Sequence, residues 1–154
     1  MKKIRKIAVE QNFAAISVGK LNELNEYELQ LGPDVKIPGK VFCSTALGTT
    51  GSEFSFQSFA PGTETGFLHS HKSHEELYFF LSGKGEFQVD GIVFPVEEGS
   101  VVRVSPAGKR SVRNNGTTPL LMLCIQYCSN TFSQEDATDG IILKEPVKWK
   151  VSPK

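Results

Sequence analysis

Between residues 41 and 130 the chain is cut repeatedly by turn signals: Thr49-Thr50-Gly51, Pro61-Gly62, Ser82-Gly83, Asp90-Gly91, Glu98-Gly99, Pro106-Ala107-Gly108 and Asn114-Asn115-Gly116. The pieces between them are short and rich in β-branched and aromatic residues, a pattern of extended backbone. It predicts strands at 41–46, 53–60, 66–71, 76–81, 85–89, 92–96, 100–105, 110–114 and 120–128. Asp90-Gly91, between Val89 and Ile92, supplies the positive φ angles of a type I′ turn, so the strands on either side form a hairpin. Many short strands joined by tight turns make an all-β sandwich or barrel.

The flanks carry weaker patterns. Residues 18–31 hold either a helical turn around Leu21, Leu24 and Leu29 or extended arms, closed by Gly32-Pro33. The chain therefore divides into an N-terminal extension over 1–40, a barrel over 41–130 and a C-terminal tail over 131–154. In the tail, Ile141 to Val151 alternates enough to offer one extra strand. The extension is expected to pair with the barrel or with a partner subunit, covering sheet edges. A homodimer is the expected assembly, since symmetric dimers are the commonest closed form.

Composition narrows the partners. At 154 residues the chain can bury a core as one domain. Its 17 basic and 17 acidic residues cancel without a long run of either sign, which argues against nucleic acid and anionic membranes. No segment approaches the roughly 20 apolar residues of a membrane span. The basic start, MKKIRK, is not followed by the apolar run of a secretory signal, so the expected location is cytoplasmic. Cys43, Cys124 and Cys128 are odd in number and lie in or beside apolar stretches, as reduced, buried thiols do.

The chemistry concentrates in HSHKSHEELYFFLSGKG, residues 69–85. His69 and His71 stand two apart on a predicted strand and so leave the same face. Glu76 begins the next strand, and Tyr78 and Phe80 share its face. If residues 72–75 turn the chain, His69, His71 and Glu76 converge into a set suited to iron, manganese, zinc, nickel or copper, with positions left open for a ligand. His74 and Glu75 then read as solvated turn residues. By the same parity Phe67 joins the two histidines, and the aromatic wall suits a small organic ligand. A further wall comes from Phe54, Phe56 and Ser58 or from Glu53, Ser55 and Gln57.

These residues resemble the cupin superfamily. Its first motif is a glycine, His-x-His, a glutamate a few residues later and a further glycine; His69, His71, Glu76 and Gly83 fit it, with Gly62 one residue early. Its second motif, glycine followed by Pro-x-Gly-x-x-His and an asparagine four residues beyond, is similar to GSVVRVSPAGKRSVRNN, where Pro106, Gly108 and Asn115 match. The resemblance implies a double-stranded β-helix, or jelly-roll barrel, holding a divalent iron, manganese, zinc or nickel ion at His69, His71 and Glu76. It also implies that Ser111 stands where the last imidazole ligand belongs, and Ser100 where an acid is usual.

Two functions follow as expectations. In one, the metal serves a dioxygenase or a mannose-6-phosphate isomerase-like enzyme, with Phe67, Tyr78, Phe80, Ser111 and Arg113 around the ligand. In this reading Ser111 and Arg113 face one side of their strand and Arg110 and Val112 the other, and an inward Arg113 grips an anionic group. In the alternative the barrel binds a sugar or carboxylate without catalysis, having lost its metal with the fourth ligand.

Overall fold

The computed structural model describes residues 1–149. Twelve strands form it: β1 (Arg5–Val9), β2 (Ala14–Ser17), β3 (Glu28–Leu31), β4 (Val35–Pro38), β5 (Lys40–Phe42), β6 (Glu53–Phe59), β7 (His74–Ser82), β8 (Lys84–Val89), β9 (Ile92–Glu97), β10 (Val101–Val104), β11 (Arg110–Arg113) and β12 (Leu120–Cys128). A five-stranded sheet runs β10-β7-β12-β6-β5, and a three-stranded sheet runs β11-β8-β9. Every pairing is antiparallel. The all-β barrel expected from the turn pattern is therefore present.

Two apolar layers hold it. Phe59, Tyr78, Phe80, Phe87, Val96, Val104, Val112, Leu120, Met122 and Cys124 fill the space between the sheets. Phe87 is its centre: fully buried, it meets Tyr78, Phe80 and Phe94 at ring-centroid distances of 4.8, 6.2 and 5.7 Å. The second layer lies on the outer face of the large sheet, where Val18, Leu24 and Tyr27 of the extension bury Val41, Cys43 and Leu121, with Phe54 and Phe56 packed alongside. The extension thus covers a sheet face rather than an edge. Leu24 sits in a 3-10 helix at Leu21–Glu26 while Leu29 stands on β3, so residues 18–31 hold a helical turn followed by an extended arm.

β6 settles which of its faces turns inward. Ser55, Gln57 and Phe59 are buried while Phe54 and Phe56 belong to the outer layer. A strand with two of its three phenylalanines outside and a serine and a glutamine inside is odd for a barrel, unless the outside is covered and the inside holds a polar site.

The turns behave largely as their chemistry requires. Asp90 and Gly91 take φ of 50° and 84° at the β8–β9 hairpin. Gly83 has φ 84°, and a Cβ there would come within 2.3 Å of the Pro119 carbonyl oxygen, so only glycine fits.

Four expectations differ. Residues 66–71 form no strand: isolated bridges pair Glu64 with Arg113 and His69 with Arg110, and between them the segment gains two residues on β11, which breaks the ladder. The segment predicted at 41–46 ends as a strand at Phe42 and becomes a helical turn, Ser44–Leu47, closed by Gly48 at φ 71°. Cys128 is exposed at the end of β12, whereas Cys43 and Cys124 are buried thiols as expected. Residues 141–149 contain no strand, and Ile141, Ile142, Leu143, Val147 and Trp149 are exposed; the rest of that predicted strand lies outside the described residues. Among the described residues no helix is long and apolar enough to cross a membrane.

Candidate metal and ligand site

Glu76 is the hub. Its place on β7 turns the carboxylate inward together with Tyr78 and Phe80, and it is buried. The segment carrying the two histidines is not a strand but is stitched to β11 and the loop before it. His69 N–H donates to the Arg110 carbonyl (3.3 Å), Arg110 N–H donates back to the His69 carbonyl (3.0 Å), and His71 N–H donates to the Pro106 carbonyl (2.8 Å). That stitching fixes both imidazoles over Glu76. His71 Nε2 lies 3.1 Å from Glu76 Oε1, and His69 Nε2 lies 3.7 Å from Glu76 Oε2.

The donor atoms of His69, His71 and Glu76 all lie within 4.8 Å of one another. Three buried nitrogens, His69 Nδ1, His71 Nε2 and Arg110 Nε, make no well-formed hydrogen bond, although the last two face Glu76 oxygens. Unsatisfied buried nitrogens are costly, and a bound cation would satisfy the lone pair of a neutral imidazole. Burial above all, helped by the nearby Arg110 and His69, outweighs the Glu76 carboxylate and holds the His71 pKa below its ordinary value, which keeps its ring neutral and able to ligate. The three residues fit a metal ion. His74 stays apart, its Nδ1 3.1 Å from Gln126 Oε1, and Glu75 turns away to Arg103 and Tyr127. Both belong to β7 rather than to a turn.

Sequence reasoning missed the fourth member. Arg110 is 1% exposed, and its Nε lies 3.3 Å from Glu76 Oε2, while its terminal nitrogens face the carbonyls of His69, Pro106 and Ser105 at 3.4–3.5 Å. Ser111 and Arg113 share one face of β11 as expected, but the face that enters the core is that of Arg110 and Val112. Arg113 is exposed and binds Glu86, its Nε 2.6 Å from Oε2, so it grips no ligand inside the barrel. Ser111 is half-buried and borders the cavity.

The register error has a visible cause. Asn114, not Asn115, is the buried asparagine: its Nδ2 donates to the Phe59 and Thr118 carbonyls at 2.8 Å, and its Oδ1 accepts from Gly116 N–H. Counting four residues back from Asn114 places the motif's last ligand at Arg110. The adjacent pair of asparagines hid this in the sequence.

Burial alone would raise the Glu76 pKa; the neighbouring His69, Tyr78, His71 and Arg110 outweigh it and hold the carboxyl at about 2. Tyr78 donates its hydroxyl to Glu76 Oε2, and burial drives its own pKa well above the ordinary phenol value. Cys124 Sγ sits 3.5 Å from Glu76 Oε1, and burial pushes this thiol up to about 12.

A cavity of about 640 Å³ opens from this cluster. Phe67 lies on its wall, 47% exposed and edge-on to His69 at 6.1 Å. Phe80 does not reach it and belongs to the core instead. Ser55 and Gln57, from one of the two wall alternatives on β6, line it, while two features were not anticipated: the β3–β4 hairpin forms part of the wall through Leu29 and Ile37, and Lys40 contributes a polar group from β5.

Two antiparallel sheets closed over a His–His–Glu cluster define a class, the small β-barrels suited to holding a divalent ion. A family model described as Cupin domain matches residues 55–126. A cupin protein from Bacteroides fragilis is 32% identical at a TM-score of 0.64, over 76% of this chain and 96% of that one. The chain belongs to the cupin family. It is also similar to an oxalate-binding protein of Thermotoga maritima, 32% identical over 47% of this chain and 59% of that protein. A structure of a candidate sugar phosphate isomerase from Acidithiobacillus ferrooxidans is 28% identical, with a TM-score of 0.52 and 57% of each chain covered. The chain spans little more than half the length of the curated relatives it matches, 54% and 59%.

Proposed function

We propose that the chain is a metal-dependent cupin that binds a small organic ligand in the cavity beside His69, His71 and Glu76. The observation that carries this reading is the convergence of the three donors with two buried imidazole nitrogens that make no well-formed hydrogen bond. A divalent iron, manganese, zinc or nickel ion held there would act as a Lewis acid toward a ligand oxygen. The protein's own groups do the rest. Tyr78 and Arg110 fix the Glu76 carboxylate, Phe67 closes one side, and the apolar walls exclude water from the ligand's carbon skeleton.

Dioxygenase and sugar isomerase-like activities are the enzymatic forms of this proposal, and the resemblance to a candidate sugar phosphate isomerase supports the second. One observation favours a non-catalytic carboxylate-binding barrel: Arg110 already supplies Glu76 with a buried positive charge, as a metal otherwise would. The resemblance to an oxalate-binding protein agrees with it. A homodimer belongs to either form, supported by Ile7, Val9 and Phe13 standing exposed on the β1–β2 hairpin and its turn.

Elemental analysis of the purified protein, as isolated and after stripping and refilling with each metal, decides between them. Near-stoichiometric retention of one metal is expected; retention of none would leave the metal-free barrel.

A further inference from the structure

We propose that the cavity has a second, cationic pole at Lys40, and that its ligand is a small organic carboxylate whose anionic end rests on the Lys40 ammonium. This deepens the reading of the cavity as a ligand pocket and rests on it. On β5, Val41 points into the outer apolar layer, so Lys40 and Phe42 point the other way, into the cavity. Lys40 faces Gln57 in the β5–β6 register, and Gln57 is buried. Lys40 Nζ lies 3.3 Å from Gln57 Oε1 and 5.3 Å from the centroid of the Phe42 ring.

None of the ion pairs among the described residues includes Lys40. The other cations of the cavity have partners: Lys36 pairs with Glu28 at 3.1 Å, and Arg110 has Glu76 and three carbonyls. The half-buried ammonium has one neutral amide and the Phe42 ring beside it, with the Glu76 charge acting only from beyond ion-pair distance, and burial outweighs that attraction and lowers its pKa. An inward lysine at that cost is explained by an anion that arrives with the ligand. The adjoining walls decide what the anion is attached to. Phe59, Met122, Leu29 and Ile37 line the same cavity and match a carbon skeleton, and about 640 Å³ accommodates a small organic acid.

The test is calorimetric titration of the full chain, stripped and zinc-loaded, with succinate, succinamide and inorganic phosphate as probes. Succinate is expected to bind and succinamide not to compete. Lys40→Met should weaken succinate by about tenfold, and Lys40→Arg should retain most of the affinity, because the anion loses and keeps its charge-assisted partner respectively. Lys40→Gln serves if the Met variant does not fold. Equal succinate affinity in wild type and in a folded neutral variant overturns the proposal, as does failure of every anion to bind. Phosphate binding that depends on Lys40, with none for succinate, overturns the carboxylate assignment. Zinc content is read separately: retained zinc without anion binding sinks only the Lys40 pole, and Lys40-dependent succinate binding without zinc retention sinks only the metal reading.

Discussion

Arg110 carries a fixed positive charge to within 3.3 Å of the carboxylate that a metal would share. A cation there opposes a second cation and removes a donor at once. Arg110→His is therefore expected to raise zinc affinity by at least about tenfold, measured by competition with a chelator. His69→Ala and His71→Ala should each abolish stoichiometric metal, while His74→Ala, paired only to Gln126, should leave it intact. In the metal-free protein Glu76 also sets a pH dependence. Its folded pKa of about 2 lies below the ordinary 4.5, so its contribution to stability is complete above 4.5 and lost as pH falls toward 2. That loss is about 3 kcal/mol, and Glu76→Gln should flatten it in denaturant melts across this window. At this scale Glu76 was legible from the alternation along β7, and His69 and His71 from their spacing and the motif they resemble, although the segment that carries them is not a strand. Arg110 was not, because a one-residue choice between Asn114 and Asn115 reverses which side of β11 enters the barrel.

Among the elements, those with turn chemistry of their own were readable from sequence, and the β8–β9 hairpin with its Asp90-Gly91 turn is the clearest. The histidine segment was misread as a strand because its order comes from β11 and the preceding loop, across some forty residues of chain. β6 was ambiguous for a related reason. Only the N-terminal extension, by covering Phe54 and Phe56, makes the polar face the inner one. Removing that cover has a measurable cost: Leu24→Ala, at a fully buried site, should destabilise the fold by about 2–5 kcal/mol in urea melts. Gly83→Ala should do comparable or greater damage, since its Cβ would meet backbone at 2.3 Å and the chain would have to move.

For the whole molecule, the barrel core and the cavity wall share Phe59, Tyr78, Val112, Met122 and Cys124, whereas the β3–β4 hairpin lies outside both apolar layers. The tail contributes no residue to either apolar layer among the described residues, so deleting residues 131–154 should leave the thermal midpoint within a few degrees of the full chain. The β3–β4 hairpin pairs only with itself, yet it walls the cavity. It is tethered where Gly39 N–H donates to the Tyr27 carbonyl and the Gly39 carbonyl accepts from Ser58 N–H, at a glycine whose Cβ would strike Ser58 O at 2.4 Å. The hairpin therefore resembles an interchangeable jaw on a fixed tool. Its side chains can be redrawn to admit a different guest with little debt to the barrel's folding, while the chemistry at Glu76 stays as it is.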